Sequence, residues 1–373
     1  MIETAPAPAS VAGPALPPWA ARLRPPLIFL APMDGVTDWA FRELCFRLGA
    51  EVTVSEFAPA AGLMAAPKKL MRSIGARHGD RPFLIQLYGK HPKDFAGAAR
   101  MIYDHLPCVG IDVNMGCPAD QVVSHSHGSA LMREPQLGAE IVAALVAATP
   151  LPVSVKMRAG WNSDSINAPE VAQTMEAAGA CMLTIHGRTR EQRFTGLASL
   201  EAIAATRAAV SIPVIGNGDI RDVASAQRML AETGVAGVMV ARGAEGNPWI
   251  FADLRQALKG ERPPDADRWS LSAVVWEQVR LAVEDRGDDR QTFLPLRKHL
   301  IWYARGIPGK DSLRKRAQQI SSIDDVDAWL MDVEAAMAAA GMHGRPLTPE
   351  APPSKVVAGD AAIDHQHGAV RPV

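Results

Sequence analysis

One cysteine lies in a loop where its thiol is available for chemistry. Cys117 belongs to the sequence Asn114-Met-Gly-Cys-Pro118, which follows a short apolar run. The glycine and the proline beside it favour an irregular loop, so we expect the thiol beside an open site. It could serve as nucleophile, metal ligand or acid, and no triad spacing ties it to His125 or His127 downstream. A thiol with the ordinary pKa of about 8.5 is mostly protonated at neutral pH, which favours a proton donor.

The other three cysteines, Cys45, Cys108 and Cys181, are better explained as small buried apolar residues. The four form no Cys-x-x-Cys pair, and no metal-ligand spacing links them to histidine. We therefore expect reduced thiols, no metal site and a cytoplasmic protein.

A lysine and a histidine, Lys156 and His186, each end a strongly apolar run. In a parallel barrel the carboxyl ends of the strands meet at one mouth, where active sites lie. The alternative is that these polar residues simply begin loops. That would explain a single position, but it poorly explains Lys156 and His186 and still less the polar residues at nearly every run end. The remaining run ends carry Met33 and Asp34, Glu56, Gln86, Asn114 and Cys117, Asn217 and Asp219, and Arg242.

Two glycine-rich loops, Ile215-Gly-Asn-Gly-Asp219 and Ala241-Arg-Gly-Ala-Glu-Gly246, end the last two apolar runs. Glycine lets backbone N–H groups approach a ligand closely, and phosphate sites in barrels follow strands seven and eight. Arg242 adds a guanidinium that can bind a phosphate through two hydrogen bonds. The loops therefore predict a phosphate site, with simple tight turns as the alternative.

A mononucleotide held there would place a flavin ring over the mouth. Pro32 and Met33 could then supply a backbone shelf for the ring. Gln86 and Lys156 could meet its nitrogens and carbonyls, and a lysine near the N1–C2 edge would stabilise the anionic reduced ring.

The elements that would position these residues alternate along the chain. Short apolar runs followed by helical stretches imply a parallel sheet with right-handed crossovers. Eight such units predict an α/β fold, a (β/α)₈ TIM barrel, with a doubly wound open sheet as the alternative. The predicted strands are Leu27–Pro32, Glu51–Ser55, Phe83–Leu87, Gly110–Asn114, Val153–Met157, Met182–Ile185, Val214–Gly216 and Gly237–Ala241.

After Ile250 the apolar residues recur at three- and four-residue spacing, which predicts a C-terminal all-helical domain. Its expected helices are Leu271–Glu284, Leu294–Tyr303, Asp311–Ser321 and Ile323–Ala340. We expect the barrel over residues 27–257 and the helical domain over residues 258–341. Residues 1–26 and 342–373 are rich in Pro and Ala and are predicted to be disordered tails.

The 373 residues carry a net charge of -1, which gives no global signal for nucleic acid. A local cluster in the helical domain is the exception, and Asp289 and Asp311 are its only acidic neighbours in that stretch of sequence. It contains Arg290, Arg297, Lys298, Arg305, Lys310, Arg314, Lys315 and Arg316. The N-terminus does not resemble a signal peptide, and no apolar stretch is long enough to span a bilayer, so no membrane association is expected.

Seven motifs, in order along most of the chain, resemble the tRNA-dihydrouridine synthase family, and within it the bacterial B-type (NifR3-like) branch. They are Ala31-Pro-Met-Asp-Gly-Val-Thr-Asp38, Asn114-Met-Gly-Cys-Pro118, Gly128-Ser-Ala-Leu-Met132, Val155-Lys-Met-Arg158, His186-Gly-Arg-Thr-Arg-Glu-Gln192, Gly216-Asn-Gly-Asp219 and Gly246-Asn-Pro-Trp-Ile-Phe251. Arg297-Lys-His-Leu-Ile-Trp-Tyr303 is similar to that branch as well.

The resemblance implies an FMN barrel and a helical tRNA-binding domain that reduce specific uridines in tRNA to 5,6-dihydrouridine, with NADPH or NADH as reductant. Cys117 would be the catalytic acid. The flavin would be held by Pro32, Met33, Asp34, Gln86, Lys156, His186, Asn217, Gly218, Asp219, Ala241 and Arg242. The target uracil would be surrounded by Asn114, Lys156, His186 and Arg188. Together with the charge cluster this predicts a tRNA surface that includes Arg297, Lys298, Arg314, Lys315 and Arg316, and it implies no obligatory protein partner.

The sequence departs from the family pattern directly after the cysteine. Many relatives have a basic pair where this chain has Asp120-Gln121, and His125 and His127 stand where relatives often have Lys or Arg. The departure affects how this loop would hold RNA rather than the flavin chemistry. Two other functions remain open at this point: a small-molecule flavin barrel of the dihydroorotate dehydrogenase type, and a non-catalytic RNA-binding barrel.

Overall fold

Eight parallel strands close into a barrel in the computed structural model, which describes residues 16–65, 74, 81–263 and 269–342. They are β1 (Leu27–Leu30), β2 (Val52–Val54), β4 (Phe83–Tyr88), β5 (Gly110–Met115), β6 (Val153–Arg158), β7 (Met182–His186), β8 (Val214–Asn217) and β9 (Gly237–Val240). β1 pairs with both β2 and β9, and β2 also pairs with β4, so the sheet has no open edge there. The predicted (β/α)₈ barrel is confirmed, and the open sheet is excluded. A two-residue strand that was not predicted, β3 (Ala58–Pro59), adds to β4.

Nine α-helices of the described residues follow the strands; all cover the outside of the barrel except the short helix Asp120–Val123, which lies in the loop after β5 at the mouth. They are α1 (Trp39–Arg47), α2 (Ala60–Ala65), α3 (Pro92–His105), α4 (Asp120–Val123), α5 (Pro135–Ala148), α6 (Ala168–Ala177), α7 (Leu200–Ala209), α8 (Val223–Thr233) and α9 (Ile250–Lys259). Side chains at their starts accept otherwise unpaired backbone N–H groups: Asp38 caps α1, Ser199 caps α7 and Asp222 caps α8. None of the described helices is both long enough and apolar enough to cross a membrane.

The barrel interior is divided into an apolar side and a polar side. Strand residues alternate between interior and exterior, so each strand sends every second side chain inward. β1, β2 and β9 contribute apolar residues, among them Leu27, Phe29, Val54 and Met239. On β4, β5 and β6 the inward residues nearer the mouth are instead polar. Gln86, Asp112, Asn114 and Ser154 are buried, and Lys156 is partly buried. The polar side therefore lies beneath one half of the mouth.

The segment before β1 packs against the N-terminal end of the barrel, which corrects part of the predicted tail. Residues 18–20 form a 3₁₀ turn, and Ala20 is fully buried. The ring of Trp19 makes an edge contact with Phe29, with centroids 6.3 Å apart. Burial of Trp19 and Leu23 on the apolar interior cluster orders residues 16–26, because apolar area removed from water offsets their conformational entropy. Residues 1–15 and 343–373 of the predicted tails lie outside the described residues.

Four further helices form the C-terminal part: α10 (Leu271–Arg286), α11 (Arg290–Tyr303), α12 (Lys310–Ala317) and α13 (Ile323–Ala339). α10 packs along α1, and the ring of His299 on α11 lies 4.6 Å from that of Phe41 on α1. A Cβ atom at Gly246 would lie 2.5 Å from the carbonyl oxygen of Trp302 on α11, so the loop after β9 also fits tightly against this part. The predicted boundary between residues 257 and 258 falls inside α9.

Candidate functional site

Cys117 lies in the loop after β5, at the mouth of the barrel. Its backbone N–H donates to Asn114 Oδ1 at 2.9 Å, and its carbonyl accepts from the Ser129 hydroxyl at 2.8 Å. Gly128, at φ +60°, lets the following turn approach, because a Cβ there would lie 2.9 Å from the Cys117 carbonyl oxygen. Burial raises the pKa of the Cys117 thiol above its ordinary value. The thiol is therefore protonated at neutral pH, which suits an acid.

Lys156 projects from β6 into the polar side of the interior. Its ammonium donates to Asn217 Oδ1 at 3.2 Å, and no described carboxylate lies in salt-bridge contact with it. Burial, and then the nearby Arg158 guanidinium, lower the pKa of Lys156 to about 8. A buried cation with one neutral hydrogen-bond partner favours an anionic or carbonyl-bearing ligand, because that ligand would restore the lost solvation.

His186 ends β7 beside Lys156, and it is neutral. Burial, followed by the positive charges of Arg158 and Lys156, holds the pKa of His186 well below its ordinary range. Arg188 NH1 lies 3.4 Å from His186 Nε2. Because a guanidinium only donates, this contact favours the tautomer in which Nε2 accepts and Nδ1 carries the proton. The imidazole can therefore offer a neutral N–H to a ligand.

The buried Arg188 and the partly exposed Asp219 form an ion pair that holds two loops of the mouth together. The Arg188 side chain is fully buried and donates to both Asp219 carboxylate oxygens, at 2.7 and 2.9 Å. It also donates to the carbonyls of Thr195 and Gly196. Burial would raise the pKa of Asp219, but the N–H of Ala198 and the Arg188 charge outweigh it and lower that pKa. In this arrangement Arg188 and Asp219 hold loops in position. The predicted contacts of Arg188 with uracil and of Asp219 with flavin remain predictions.

The loops after β8 and β9 present a set of backbone N–H groups. Gly218 adopts φ +127°, and a Cβ there would lie 2.5 Å from Ala198 Cβ, so only glycine fits. Within the described residues, the N–H groups of Gly218, Arg242 and Gly243 donate no hydrogen bond. The Arg242 guanidinium lies 5.1 Å above the ring of Phe194. Free donors beside an arginine are what a phosphate monoester requires.

The remaining predicted flavin residues line the same mouth. Pro32 and Met33 follow β1 and are half-buried, Asp34 is exposed beside them, and Ala241 follows β9. Thr37 Oγ accepts the N–H of Met33 at 2.9 Å, which fixes the backbone of this shelf. Gln86 is fully buried on β4, one layer deeper in the barrel.

Arg158, at the end of β6, supports the site although it was not among the predicted site residues. Its Nε donates to the Gly116 carbonyl at 2.6 Å, next to Cys117. Its NH1 donates to the carbonyls of Thr189 and Arg193, each at 2.8 Å. A strand end that carries both Lys156 and Arg158, two residues apart and on the same face, was the available signal.

The predicted cationic cluster of the helical part is divided in space. Arg314 and Lys315 are exposed on α12, whereas Arg316 forms an ion pair with Asp332 of α13. Arg297 donates to the Ile320 carbonyl at 2.8 Å and is partly buried. The acidic neighbours of this cluster are therefore not limited to Asp289 and Asp311 of that stretch of sequence, because α13 brings Asp332 against α12.

Lys298 is directed away from the other cations of the cluster and towards the mouth. A Cβ at Gly35 would lie 2.9 Å from Lys298 Nζ, in the loop after β1. Burial lowers the pKa of Lys298, while Glu56, Asp38 and Asp34 act in the opposite direction. Lys298 thus brings a positive charge of the helical part within electrostatic range of the carboxyl groups that follow β1 and β2.

Glu56, after β2, is the most perturbed of those carboxyl groups, and it predicts a pH-dependent stability. Its Oε1 is buried without a hydrogen-bond partner among the described residues, and burial raises its pKa to about 7. A raised pKa stabilises the folded state at low pH, and this contribution disappears as the pH rises from about 4.5 through 7. We expect Glu56→Gln to match the wild type near pH 5 and to be more stable by about 1–3 kcal/mol at pH 8.

Thermal denaturation of the flavin-free protein at the two pH values measures this difference. Glu201→Gln, which changes an exposed carboxyl in the first turn of α7, is the matched control. A gain for Glu56→Gln that is equal at both pH values would show that ionisation of Glu56 is not its cause.

Asp120, in the loop after β5, pairs with two arginines of a neighbouring loop. Its carboxylate accepts from Arg190 and Arg193, each at 2.7 Å, and it thereby connects α4 with the loop after β7. The ring of His127 packs 5.6 Å from that of Tyr88, and burial lowers its pKa. This face of the mouth therefore carries less net positive charge than its arginines alone suggest.

Comparison with known proteins gives consistent matches. The family model described as "Dihydrouridine synthase (Dus)" matches residues 29–340. A "Probable tRNA-dihydrouridine synthase" of Rhodobacter capsulatus is 44% identical over 285 residues, covering 76% of this chain and 87% of that protein. A "tRNA-dihydrouridine synthase B" of Pseudomonas aeruginosa is 39% identical over 311 residues, covering 83% and 92%. Among solved structures, histamine dehydrogenase from Rhizobium sp. 4-9 has a TM-score of 0.49 at 14% identity, covering 68% of this chain and 48% of that chain.

Proposed function

Because the chain belongs to the dihydrouridine synthase family, we propose that it reduces the C5=C6 bond of specific uridines in tRNA to give 5,6-dihydrouridine. The reductant is NADPH or NADH, and the substrate places the enzyme in the cytoplasm. A protonated thiol and a desolvated lysine that makes no salt bridge with a described carboxylate, both at one barrel mouth, carry the proposal.

FMN is the cofactor that these residues fit. The unused N–H groups of Gly218, Arg242 and Gly243, with the Arg242 side chain, suit its phosphate. Lys156 suits the N1–C2 edge of the ring, because an anion there supplies the charge partner that Lys156 lacks. Pro32 and Met33 complete the ring site, and Gln86 supports it from one layer deeper in the barrel. When bound, FMN supplies the hydride that is added to uracil C6.

The side chains of the mouth perform the other half of the reduction. Negative charge develops on C5 and on the C4 carbonyl oxygen of the uracil, and Lys156 and the neutral N–H of His186 stabilise it there. Cys117 donates its proton to C5, which completes the saturated bond. Asn114 and Arg188 fix the loops around the base. The uridine must first leave its stack, at a cost of a few kcal/mol.

Analysis of cellular tRNA tests this function directly. Nucleoside mass spectrometry of tRNA from a deletion strain should show loss of dihydrouridine, restored by the wild-type gene. The purified enzyme should be yellow and release FMN on denaturation. Unchanged dihydrouridine in the deletion strain would remove the tRNA assignment, and release of FAD would remove the cofactor assignment.

The exposed cations of α12 should bind tRNA phosphates. Replacing Arg314, Lys315 and Arg316 together with serine removes two unpaired charges and one that Asp332 already neutralises. We therefore expect weaker tRNA binding. The slope of log K against the logarithm of the salt concentration should become less steep by about 1.4–1.8, which corresponds to two lost phosphate contacts. Binding titrations at several salt concentrations measure the slope.

Arg22→Ser with Arg24→Ser is the matched control, because it removes exposed charges at the closed end of the barrel. The control should keep the wild-type affinity and slope. If the wild type and the triple variant show equal slopes of log K against log salt concentration, the RNA does not bind α12. The loop that carries Arg190 and Arg193 would then be the next candidate surface.

A further inference from the structure

Four buried side chains on the polar side of the barrel form one continuous chain of hydrogen bonds. Ser154 Oγ donates to Asp112 Oδ1 at 2.5 Å, and Gln86 Nε2 donates to Asp112 Oδ2 at 2.7 Å. Asn114 Nδ2 donates to Gln86 Oε1 at 2.8 Å. We call this set, Ser154, Asp112, Gln86 and Asn114, the Asp112 network. All four residues are at most 6% exposed.

The network ends on the backbone of the Cys117 loop. Asn114 Oδ1 accepts the N–H groups of Gly116, at 3.1 Å, and of Cys117, at 2.9 Å. Strand register brings the members together, because Gln86 lies opposite Asp112 and Asp112 lies opposite Ser154. The Asp112 carboxyl group is thus connected to Cys117 through the side-chain amides of Gln86 and Asn114.

Both ends of the network require the same orientation of those amides. Burial raises the pKa of Asp112, while its hydrogen bonds from Gln86 and Ser154 and the charge of Lys156 act in the opposite direction. In its ionised form the carboxylate only accepts, so Gln86 must then present its NH₂ group to Asp112 and its oxygen to Asn114. Asn114 must then present its NH₂ group to Gln86 and its oxygen to the loop. Backbone N–H groups only donate, so the Cys117 loop demands this orientation independently. Buried, charge-assisted hydrogen bonds of this kind are strong, and neighbouring bonds in a chain polarise one another.

We propose that Asp112 is a positioning residue for Cys117: by fixing the orientations of Gln86 and Asn114, it holds the Gly116–Cys117 backbone and aims the thiol at the substrate. The inference rests on the proposed role of Cys117 as the acid. Asp112 itself touches neither the loop nor the mouth, since two amides lie between it and Cys117. Arg158, which binds the Gly116 carbonyl, supports the same loop from the other side.

Three variants separate this role from simple packing. Asp112→Leu removes the acceptor at similar volume, so Gln86 can turn its amide and the loop loses its support. Asp112→Asn still offers an oxygen to Gln86 if its NH₂ group faces the Ser154 hydroxyl, which can accept. Ser154→Ala removes a bond on the far side of Asp112 and leaves the path to Cys117 intact.

The first measurement is the rate at which unmodified tRNA oxidises the reduced enzyme, expressed per bound flavin. We expect Asp112→Leu to lower it by about 10- to 100-fold, because small displacements of a reacting group have effects of this size. Asp112→Asn should retain most of the wild-type rate, and Ser154→Ala should lose far less than Asp112→Leu. Oxidation of NADPH should be affected much less than oxidation by tRNA.

A double-mutant cycle with Cys117→Ala tests whether Asp112 acts through the thiol. In the Cys117→Ala background, Asp112→Leu should have little further effect. The same loss in both backgrounds would overturn the proposal, as would a wild-type rate for Asp112→Leu.

The rate of iodoacetamide alkylation of the Cys117 peptide, followed by mass spectrometry at a fixed pH, provides a readout independent of activity. It should change in Asp112→Leu and not in Asp112→Asn, because only the leucine frees the loop. An identical alkylation rate in all variants would also overturn the proposal. If the wild type forms no dihydrouridine, the proposed function fails, while this comparison still tests the Asp112 network.

Discussion

Cys117→Ala should abolish most dihydrouridine formation while the protein stays folded and yellow. Loss of a general acid typically reduces a rate by about 10²–10⁴-fold. The half-reaction with NADPH should continue at nearly the wild-type rate, since it needs no proton from this thiol. Single-turnover oxidation of the reduced enzyme by unmodified tRNA isolates the affected step. Burial raises the pKa of Cys117, so the thiol removed by this substitution carries a proton at neutral pH.

Cys181→Ala is the control for Cys117→Ala. Cys181 lies before β7 and packs against the interior cluster near the closed end of the barrel, away from the mouth. Its replacement should leave both half-reactions unchanged. Product formation by Cys117→Ala at the wild-type rate would remove the thiol from the mechanism and leave the proton to solvent.

Gly218→Val and Arg242→Glu should each yield a folded but colourless protein. At Gly218 the new side chain would meet Ala198 at 2.5 Å and would have to adopt φ +127°, so the loop cannot keep its N–H groups in place. At Arg242 the substitution puts a negative charge where a phosphate must bind. Each charged hydrogen bond lost costs about 1.5–3 kcal/mol, which is about 10- to 100-fold in affinity. The absorbance ratio of flavin to protein after purification measures the effect.

Gly234→Ala and Arg228→Glu are the matched controls for this pair. Gly234 also has a positive φ, +65°, but it ends α8, and a Cβ there would have no atom within 4 Å. Arg228 is an exposed arginine on the same helix. Both controls should keep full flavin content. Full flavin content in Gly218→Val and Arg242→Glu would refute the phosphate site.

The strand ends were predictable from the sequence because two signals coincide there. Each apolar run stops where the chain leaves the barrel, and the polar residue at that point lies at the mouth. Lys156 and His186 could therefore be placed from the order of residues alone. The Asp112 network could not, because an isolated Asp or Ser inside a strand does not reveal which strand register brings it against Gln86.

Contacts between distant parts of the chain could not be predicted from the sequence either. In the sequence, Lys298 is indistinguishable from the other cations of its helix. Only the packing of α11 against the loop after β1 shows that it lies beside that loop. The pairing of Arg316 with Asp332 depends likewise on how α12 meets α13. Tail composition suggested disorder through residue 26, but the apolar side chains of residues 16–23 have a partner surface that only the closed barrel provides.

The tight fit between the helical part and the barrel has a consequence for substrate choice. α10 lies along α1, His299 packs on Phe41, and Gly246 has no room for a side chain beneath Trp302. On the proposed function, an RNA held at Arg314 and Lys315 would therefore lie at a set distance from Cys117. That distance would then select the uridine that is reduced by its position along the folded tRNA rather than by its neighbouring bases.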